Sequence, residues 1–316
     1  MERNKFIWAY IKSMRPYLFF ATGIAGWLGI VFSGTEVNIL KKFLILVLLF
    51  ASWGINQIVN DYLGMKEDRI NAPDRPMVSG ELNVKYALII TFVLFVVGAV
   101  ISYLLNPYAL IVYLIGYIFN ILYEYLKAVP FLGNVWFGIL LSVCPFYGAL
   151  AVSRQSLSMV LKNKDLVFVS LFVALMFSTM TFFTYYKDYN GDKKAGKKTL
   201  VVLLSPEKAR WLNFPMAFIP YTVLFIILNS KLWLPDINVH FIVLNGISFL
   251  LIFYTAFLLF RYPEGEKSAG GLKWNFSGTV LFETSFLALV NPFLAIVLFV
   301  MGFLFVYYLF VFLQIE

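Results

Sequence analysis

Apolar runs of about 16–22 residues recur along this chain from one end to the other, and each approaches the roughly 20 residues that an α-helix needs to cross a bilayer core. Candidate spans are residues 18–33, 41–59, 86–105, 108–126, 133–153, 166–186, 212–229, 240–260 and a long final region, 276–313. Within that last region Asn291-Pro292 either kinks one helix or separates two, so nine spans are expected and ten are the alternative. Only 13% of the residues are charged and 61% are hydrophobic, where a soluble domain carries roughly 25% charged residues. The reading is an all-α, polytopic membrane protein with about nine transmembrane helices, in contact with the lipid bilayer. No soluble domain or long low-complexity linker interrupts the pattern, so residues 1–316 read as one transmembrane domain.

The single cysteine, Cys144, excludes internal disulfides and multi-cysteine metal sites, and the single histidine, His240, removes any mechanism that needs a histidine pair. The N-terminal MERNKFIWAYIKSMRP reads as a basic amphipathic lead-in rather than a cleavable signal peptide. Orientation follows from counting Lys and Arg. With the N-terminus inside, only Lys41, Lys42, Arg154, Lys162, Lys164 and Lys231 of the 25 cations fall outside, so the polar loops 60–85 and 187–210 are expected on the cytoplasmic side. The net charge of +8 fits this bias and attraction to anionic lipid, or an anionic substrate. Nucleic acid is not expected, because the basic residues lie in short loops, and no obligate protein partner is implied.

Two acidic clusters stand out at the ends of spans. The first holds Asn60, Asp61, Glu67 and Asp68; the second holds Asp188 and Asp192. Residues four apart share a helix face, so Asn60, Gly64 and Asp68 form one stripe and Asp188 and Asp192 another. Oxygen ligands at this spacing suit a hard divalent cation, and magnesium in particular when phosphates share its coordination. The neighbouring Lys and Arg cannot hold metal but can hold phosphate oxygens. Acids and bases together point to a metal–diphosphate site. The plainer alternative is a pair of solvated loop ends with ordinary charge balance.

These residues resemble a family. Asn60-Asp61, Asp68-Arg69-Ile70-Asn71, Arg75-Pro76 and Ser79-Gly80, in that order, are similar to the first signature of the UbiA superfamily of intramembrane prenyltransferases. Gly191 to Leu200, GDKKAGKKTL, is similar to the second. Arg15-Pro16 at the first span, and Tyr123 and Lys127 in LYEYLKAVPFLGN, add two lesser matches. The resemblance implies helices around a central cavity, Mg2+, and a polyprenyl diphosphate substrate whose tail lies in an apolar tunnel.

Two departures shape the functional expectation. Gly64 stands where the resembled first motif has a carboxylate, and Tyr185 where the second often begins with one. The pattern that results resembles the UbiA-type terpene cyclases, which ionise a polyprenyl diphosphate and let the tail attack itself. The expectation is therefore a Mg-dependent terpene cyclase acting on a diphosphate, C20 in first place. A prenyltransferase with an aromatic, quinone-precursor or lipid acceptor is the alternative, and a lipid or ion transporter the third reading. On the cyclase reading Asn60 and Asp68 ligate one Mg2+, and Asp188 and Asp192 a second. Arg15, Tyr123, Lys127 and one or more of Lys193, Lys197 and Lys198 contact the diphosphate, and Asp61 orients a ligand or pairs with a cation. Of the 34 Phe, 19 Tyr and 7 Trp, Trp53, Phe146, Phe182, Phe183 and Tyr186 are candidates to stabilise an allylic cation, each with lipid contact or core packing as the plain alternative. Glu124, Glu283 or released diphosphate is the candidate terminating base.

Overall fold

A computed structural model describes residues 3–264, 268 and 270–312. Lys267, counted in the orientation argument, and position 313 of the final expected span lie outside the described residues. Among those described there is no strand. The principal helices are α1 (Arg3–Met14), α2 (Phe19–Phe32), α3 (Ile39–Leu63), α4 (Met65–Asn71), α5 (Val84–Leu105), α6 (Pro107–Leu126), α7 (Leu132–Val152), α8 (Lys164–Ala195), α9 (Asn213–Asn229), α10 (Val239–Arg261), α11 (Gly271–Leu287) and α12 (Pro292–Phe312). Nine helical segments among the described residues are long and apolar enough to cross a membrane. In lipid every backbone polar group must be paired internally, which is why the apolar pattern resolves into helices alone.

Asparagines start many of these helices. Asn38, Asn83, Asn106, Asn163 and Asn238 each accept a backbone N–H of the first turn of α3, α5, α6, α8 and α10, which satisfies donors that would otherwise be orphaned. Several caps also tie the helix ends together. The Asn106 amide donates to the carbonyls of Leu150 in the last turn of α7 and of Ser153 and Gln155 just beyond it, and that of Asn163 donates to Phe32 at the end of α2.

Consecutive helices pack as neighbours, α2 on α3, then α5, α6, α7 and α8, then α9, α10 and α11, and α11 returns to α2. α2 also crosses α7, where a Cβ on Gly29 would strike the Pro145 carbonyl and one on Gly148 the Gly26 carbonyl. Such backbone-to-backbone contact is what small residues permit between membrane helices. The outer faces carry exposed Phe92, Val97, Phe225, Val243 and Leu250, a surface that lipid and not water would cover.

The final region is two helices. α11 ends at Leu287 and α12 begins at Pro292, because proline cannot donate to a continuing helix. α11 is buried along nearly its whole length despite Asn275, Ser277, Thr279, Glu283, Thr284 and Ser285. Thr279, Thr284 and Ser285 return their hydroxyls to carbonyls of their own helix, and the Asn275 amide donates to the Met180 carbonyl of α8.

Candidate active site

α3, α6 and α8 bring their C-terminal ends to the same side of the ring, together with α4, the α1–α2 junction and the start of α11. A cavity of about 500 Å³ opens there, within the roughly 300–1,000 Å³ of ligand sites. Carbonyls at helix C-termini carry partial negative charge, so this end of the bundle favours cations even before its carboxylates are counted.

The first stripe does not lie on one unbroken helix. α3 ends at Leu63 and α4 restarts at Met65. The step at Gly64 still passes its hydrogen bonds along, Gly64 N donating to Asn60 O at 2.8 Å and Asp68 N to Gly64 O at 3.0 Å. Asn60, Gly64 and Asp68 therefore all line the cavity. The second stripe stays on α8, which runs 32 residues through the expected span and past it. Asp188 lines the cavity, while Asp192 is fully buried one turn further on. Asn71 clamps this turn to α4, its amide donating to the Asp188 carbonyl at 3.0 Å and its oxygen accepting from Gly191 N at 2.7 Å.

Each carboxylate of the two clusters has a cation. Lys127 Nζ lies 3.4 Å from Asp188 Oδ2 and 3.3 Å from Asp192 Oδ1. Arg15 donates to Asp61 Oδ1 at 2.6 Å, and Gln57 to the same oxygen at 2.9 Å. Arg75 pairs with Asp68 and reaches Asp61 at 3.7 Å. Lys197 lies between Glu67 at 3.3 Å and Glu124 at 3.4 Å. Burial pushes the Asp68 carboxyl up to about 6, with Arg75 pulling the other way. Burial also works to discharge Arg75 and Lys127. For Arg75, Asp61 and Asp68 outweigh it, and for Lys127, Asp188 and Asp192 do, so both cations hold their protons more tightly than usual. Arg15 keeps a left-handed backbone, φ 52°, a strain that persists where surrounding contacts over-determine it.

Among the described residues no three His, Cys, Asp or Glu side chains converge as a ready metal cage. The donor set nevertheless fits a hard cation. Magnesium takes one or two carboxylates and leaves its other positions to water and phosphate, and Glu67 Oε2 and Asp192 Oδ2 are buried without a hydrogen-bond partner. Asn60 has a partner already, since its amide and that of Asn120 donate to each other at 3.0 and 2.9 Å.

Several expected positions lie elsewhere. Lys193 is exposed and donates to Tyr189 at 3.0 Å, and Lys198 is also exposed. Of the three lysines only Lys197 lines the cavity. Trp53 and Tyr123 line it too, and both pack on Phe137, with ring centroids 6.2 and 4.9 Å away. Phe146, Phe182, Phe183 and Tyr186 do not line it. α8 presents Met180, Thr181, Thr184, Lys187 and Asp188 to the cavity, which sends 182, 183 and 186 to the opposite face. Tyr186 is there hydrogen-bonded to Asn213 at 2.7 Å, and Phe146 packs in a separate apolar cluster with Tyr147. Tyr185 lies beneath Lys127, 5.7 Å from Nζ to ring centroid. Glu283 is fully buried in α11 and does not line the cavity either. Residues that sequence reasoning left without a role are Asn71, Arg75, Asn120 and Lys187. Asn71 and Arg75 sit inside the first signature, where they were legible.

A smaller apolar slot between α3, α6 and α7 adjoins the cavity and shares Trp53, Gln57, Asn60 and Phe137 with it. A charge-compensated polar chamber adjoining an apolar slot, inside a ring of helices long and apolar enough to cross a bilayer, is the architecture of an integral membrane protein. The chain belongs to the UbiA prenyltransferase family, whose profile matches residues 18–277. It is similar to the digeranylgeranylglyceryl phosphate synthase of Thermococcus gammatolerans, 31% identical over 83% of this chain and 90% of that one. The fold is also that of a UbiA homolog from Aeropyrum pernix K1, with a TM-score of 0.71 at 17% identity, over 85% of this chain and 96% of that one. A UbiA homolog from Archaeoglobus fulgidus bound to DMAPP and Mg2+ superposes with a TM-score of 0.63, at 17% identity, over 89% of this chain and 99% of that one.

These relatives overturn the cyclase expectation. Sequences alike over most of the chain belong to synthases of a prenylated glyceryl phosphate, which are prenyltransferases and not terpene cyclases. Gly64 and Tyr185 do not mark a cyclase. The missing side chain at Gly64 leaves a space that other carboxylates border, Glu124 Oε2 at 3.8 Å and Asp68 Oδ2 at 3.9 Å from where a Cβ would stand.

Proposed function

We propose that this chain is a Mg-dependent intramembrane prenyltransferase that moves a geranylgeranyl-class chain from its diphosphate to a prenylated glyceryl phosphate. The observation that carries this reading is the junction of the polar cavity, with its two carboxylate stripes and interleaved cations, and the apolar slot beside Trp53. The relatives supply the acceptor class, since a product with two geranylgeranyl groups on glyceryl phosphate requires transfer to a lipid that already carries one.

Asp68, Asp188 and Asp192, with Asn60, are the groups that would hold magnesium. When bound, it neutralises charge developing on the leaving diphosphate. Arg15, Arg75, Lys127 and Lys197 would turn from carboxylates to phosphate oxygens as the substrate enters, so the site trades internal ion pairs for charged hydrogen bonds to the head group. The C–O bond to diphosphate breaks, its electron pair leaves with the diphosphate, and the acceptor hydroxyl oxygen bonds to the allylic carbon. The hydroxyl proton passes to a cavity carboxylate or to the diphosphate. Trp53 and Tyr123 stand at the cavity wall, where an aromatic face stabilises a developing allylic cation and excludes water that would trap it. By the distribution of Lys and Arg, the N-terminus and the cavity mouth face the cytoplasm. Two magnesium ions, one per stripe, suit the arrangement.

The test offers purified protein geranylgeranyl diphosphate and Mg2+ with one acceptor at a time: geranylgeranylglyceryl phosphate, 4-hydroxybenzoate or a naphthoate. Prenylation of the glyceryl phosphate lipid alone is expected, and prenylation of an aromatic acid instead would replace this reading.

A further inference from the structure

The middle of the first stripe has no side chain, and the backbone does not explain why. Gly64 adopts φ −90° and ψ 8°, a negative-φ bridge conformation that residues with a side chain also take up at turns. Space is tight on one side, where a Cβ would meet the Asn60 carbonyl oxygen at 3.1 Å, and its next nearest neighbours are Glu124 Oε2 at 3.8 Å and Asp68 Oδ2 at 3.9 Å. What surrounds the empty position is negative charge. Glu124 comes from the last turn of α6, sixty residues away in sequence, and its carboxylate points into the volume that a longer side chain at 64 would fill.

Lys197 holds Glu124 in place, and it holds Glu67 as well. Glu67 is nine-tenths buried on the cavity wall, and its Oε2 has no hydrogen-bond partner. Lys197 therefore stays compensated when Glu124 turns to another cation. We infer that Glu124 supplies, from α6, the carboxylate that the first stripe lacks at Gly64, and that it faces the same divalent cation as Asp68. The inference rests on the metal site of the proposed function.

The experiment uses Mn2+ as the probe, titrated into the detergent-purified full chain and followed by the electron paramagnetic resonance signal of the free ion. Glu124→Gln preserves shape and is expected to weaken Mn2+ binding by about tenfold or more. Gly64→Asp in that background is expected to restore it to near the native value, which a merely structural role for Glu124 would not allow. Native affinity in Glu124→Gln, where Asp68→Asn loses the ion, overturns the inference and leaves the metal site standing. So does failure of Gly64→Asp to restore binding when Lys197→Gln reproduces the loss, since Glu124 then only positions Lys197. Native affinity in Asp68→Asn as well overturns the inference together with the metal site.

Discussion

Lys127 shows how individual residues balance this site. Its ammonium lies within 3.4 Å of both Asp188 and Asp192, and the Asp192 side chain is 0% exposed. Removing one partner of a buried ion pair costs roughly 3–5 kcal/mol, because the charge left behind has neither water nor partner. Lys127→Met is therefore expected to lower the thermal midpoint of the ligand-free protein markedly, and added Mg2+ should recover more of the loss in the variant than it adds to the native chain. Thermal unfolding with and without Mg2+ checks this, and an unchanged midpoint would show that Lys127 compensates nothing. Asp68→Asn and Asp192→Asn are each expected to abolish prenyl transfer in protein that still elutes as a folded species, which an endpoint assay of lipid product checks. At this scale the two stripes were legible, because a spacing of four is a property of the local chain. The partners of their members were not. Arg75 to Asp61, and Asn120 to Asn60, are contacts made by tertiary packing. The aromatic candidates of α8 lie off the cavity, and the signal for that was present in the sequence. Counting back from Asp188 by four, seven and eight gives Thr184, Thr181 and Met180, the residues that line the cavity, and leaves Phe182, Phe183 and Tyr186 on the far face.

At the scale of elements, the helices meet at glycines where backbones touch. Gly148 of α7 has no room for a Cβ, because the obstacle is the Gly26 carbonyl of α2, and backbone cannot rotate away as a side chain can. Gly148→Ala is expected to cost about 1–3 kcal/mol by overpacking. Gly246 of α10 has nothing within 4 Å of its Cβ position, so Gly246→Ala should be neutral or gain up to roughly 1 kcal/mol from helix propensity. Parallel thermal melts of the two variants check the contrast. The spans themselves were readable from apolar run length, and their ends were readable from asparagine. Asn38, Asn83, Asn106, Asn163 and Asn238 each precede a helix, a capping signal that run length alone ignores. The split between α11 and α12 was readable only as two alternatives, since Asn291-Pro292 marks a break without saying whether the chain resumes its course. α11 is the element least like its sequence. Seven polar residues in seventeen suggest a surface helix, yet it is mostly buried, because hydroxyls of Thr279, Thr284 and Ser285 bond within the helix and its amide finds α8.

For the whole molecule, the helical ring gathers Lys12, Arg15, Arg75, Lys127, Lys187 and Lys197 around one cavity mouth. On the proposed topology, in which Lys and Arg favour the inner side, this mouth would face the cytoplasm. In a Cys144→Ala background, Glu81→Cys is expected to resist a membrane-impermeant maleimide applied to intact cells, while Ser230→Cys reacts. The reverse pattern would invert the topology. Membrane class and a metal–diphosphate site were approached from residue types at local spacings, and the prenyl chain from the family resemblance. A lipid acceptor stood only within the alternative reading, and it is that alternative which the relatives favour. On the proposed mechanism cyclisation and transfer would draw on the same charged stripes, and what would separate them is the molecule lying beside the allylic carbon, a property of the assembled cavity. Reading Gly64 as a mark of cyclisation took a local gap for a missing group, whereas the space it leaves is bordered by Glu124. The most direct measurement follows diphosphate release from geranylgeranyl diphosphate and Mg2+ with and without geranylgeranylglyceryl phosphate, with mass spectrometry of the lipid extract. The account predicts release that depends on the acceptor and appears one-for-one as a diprenylated glyceryl phosphate. Equal release without acceptor, with a hydrocarbon or prenyl alcohol as the only product, would contradict it.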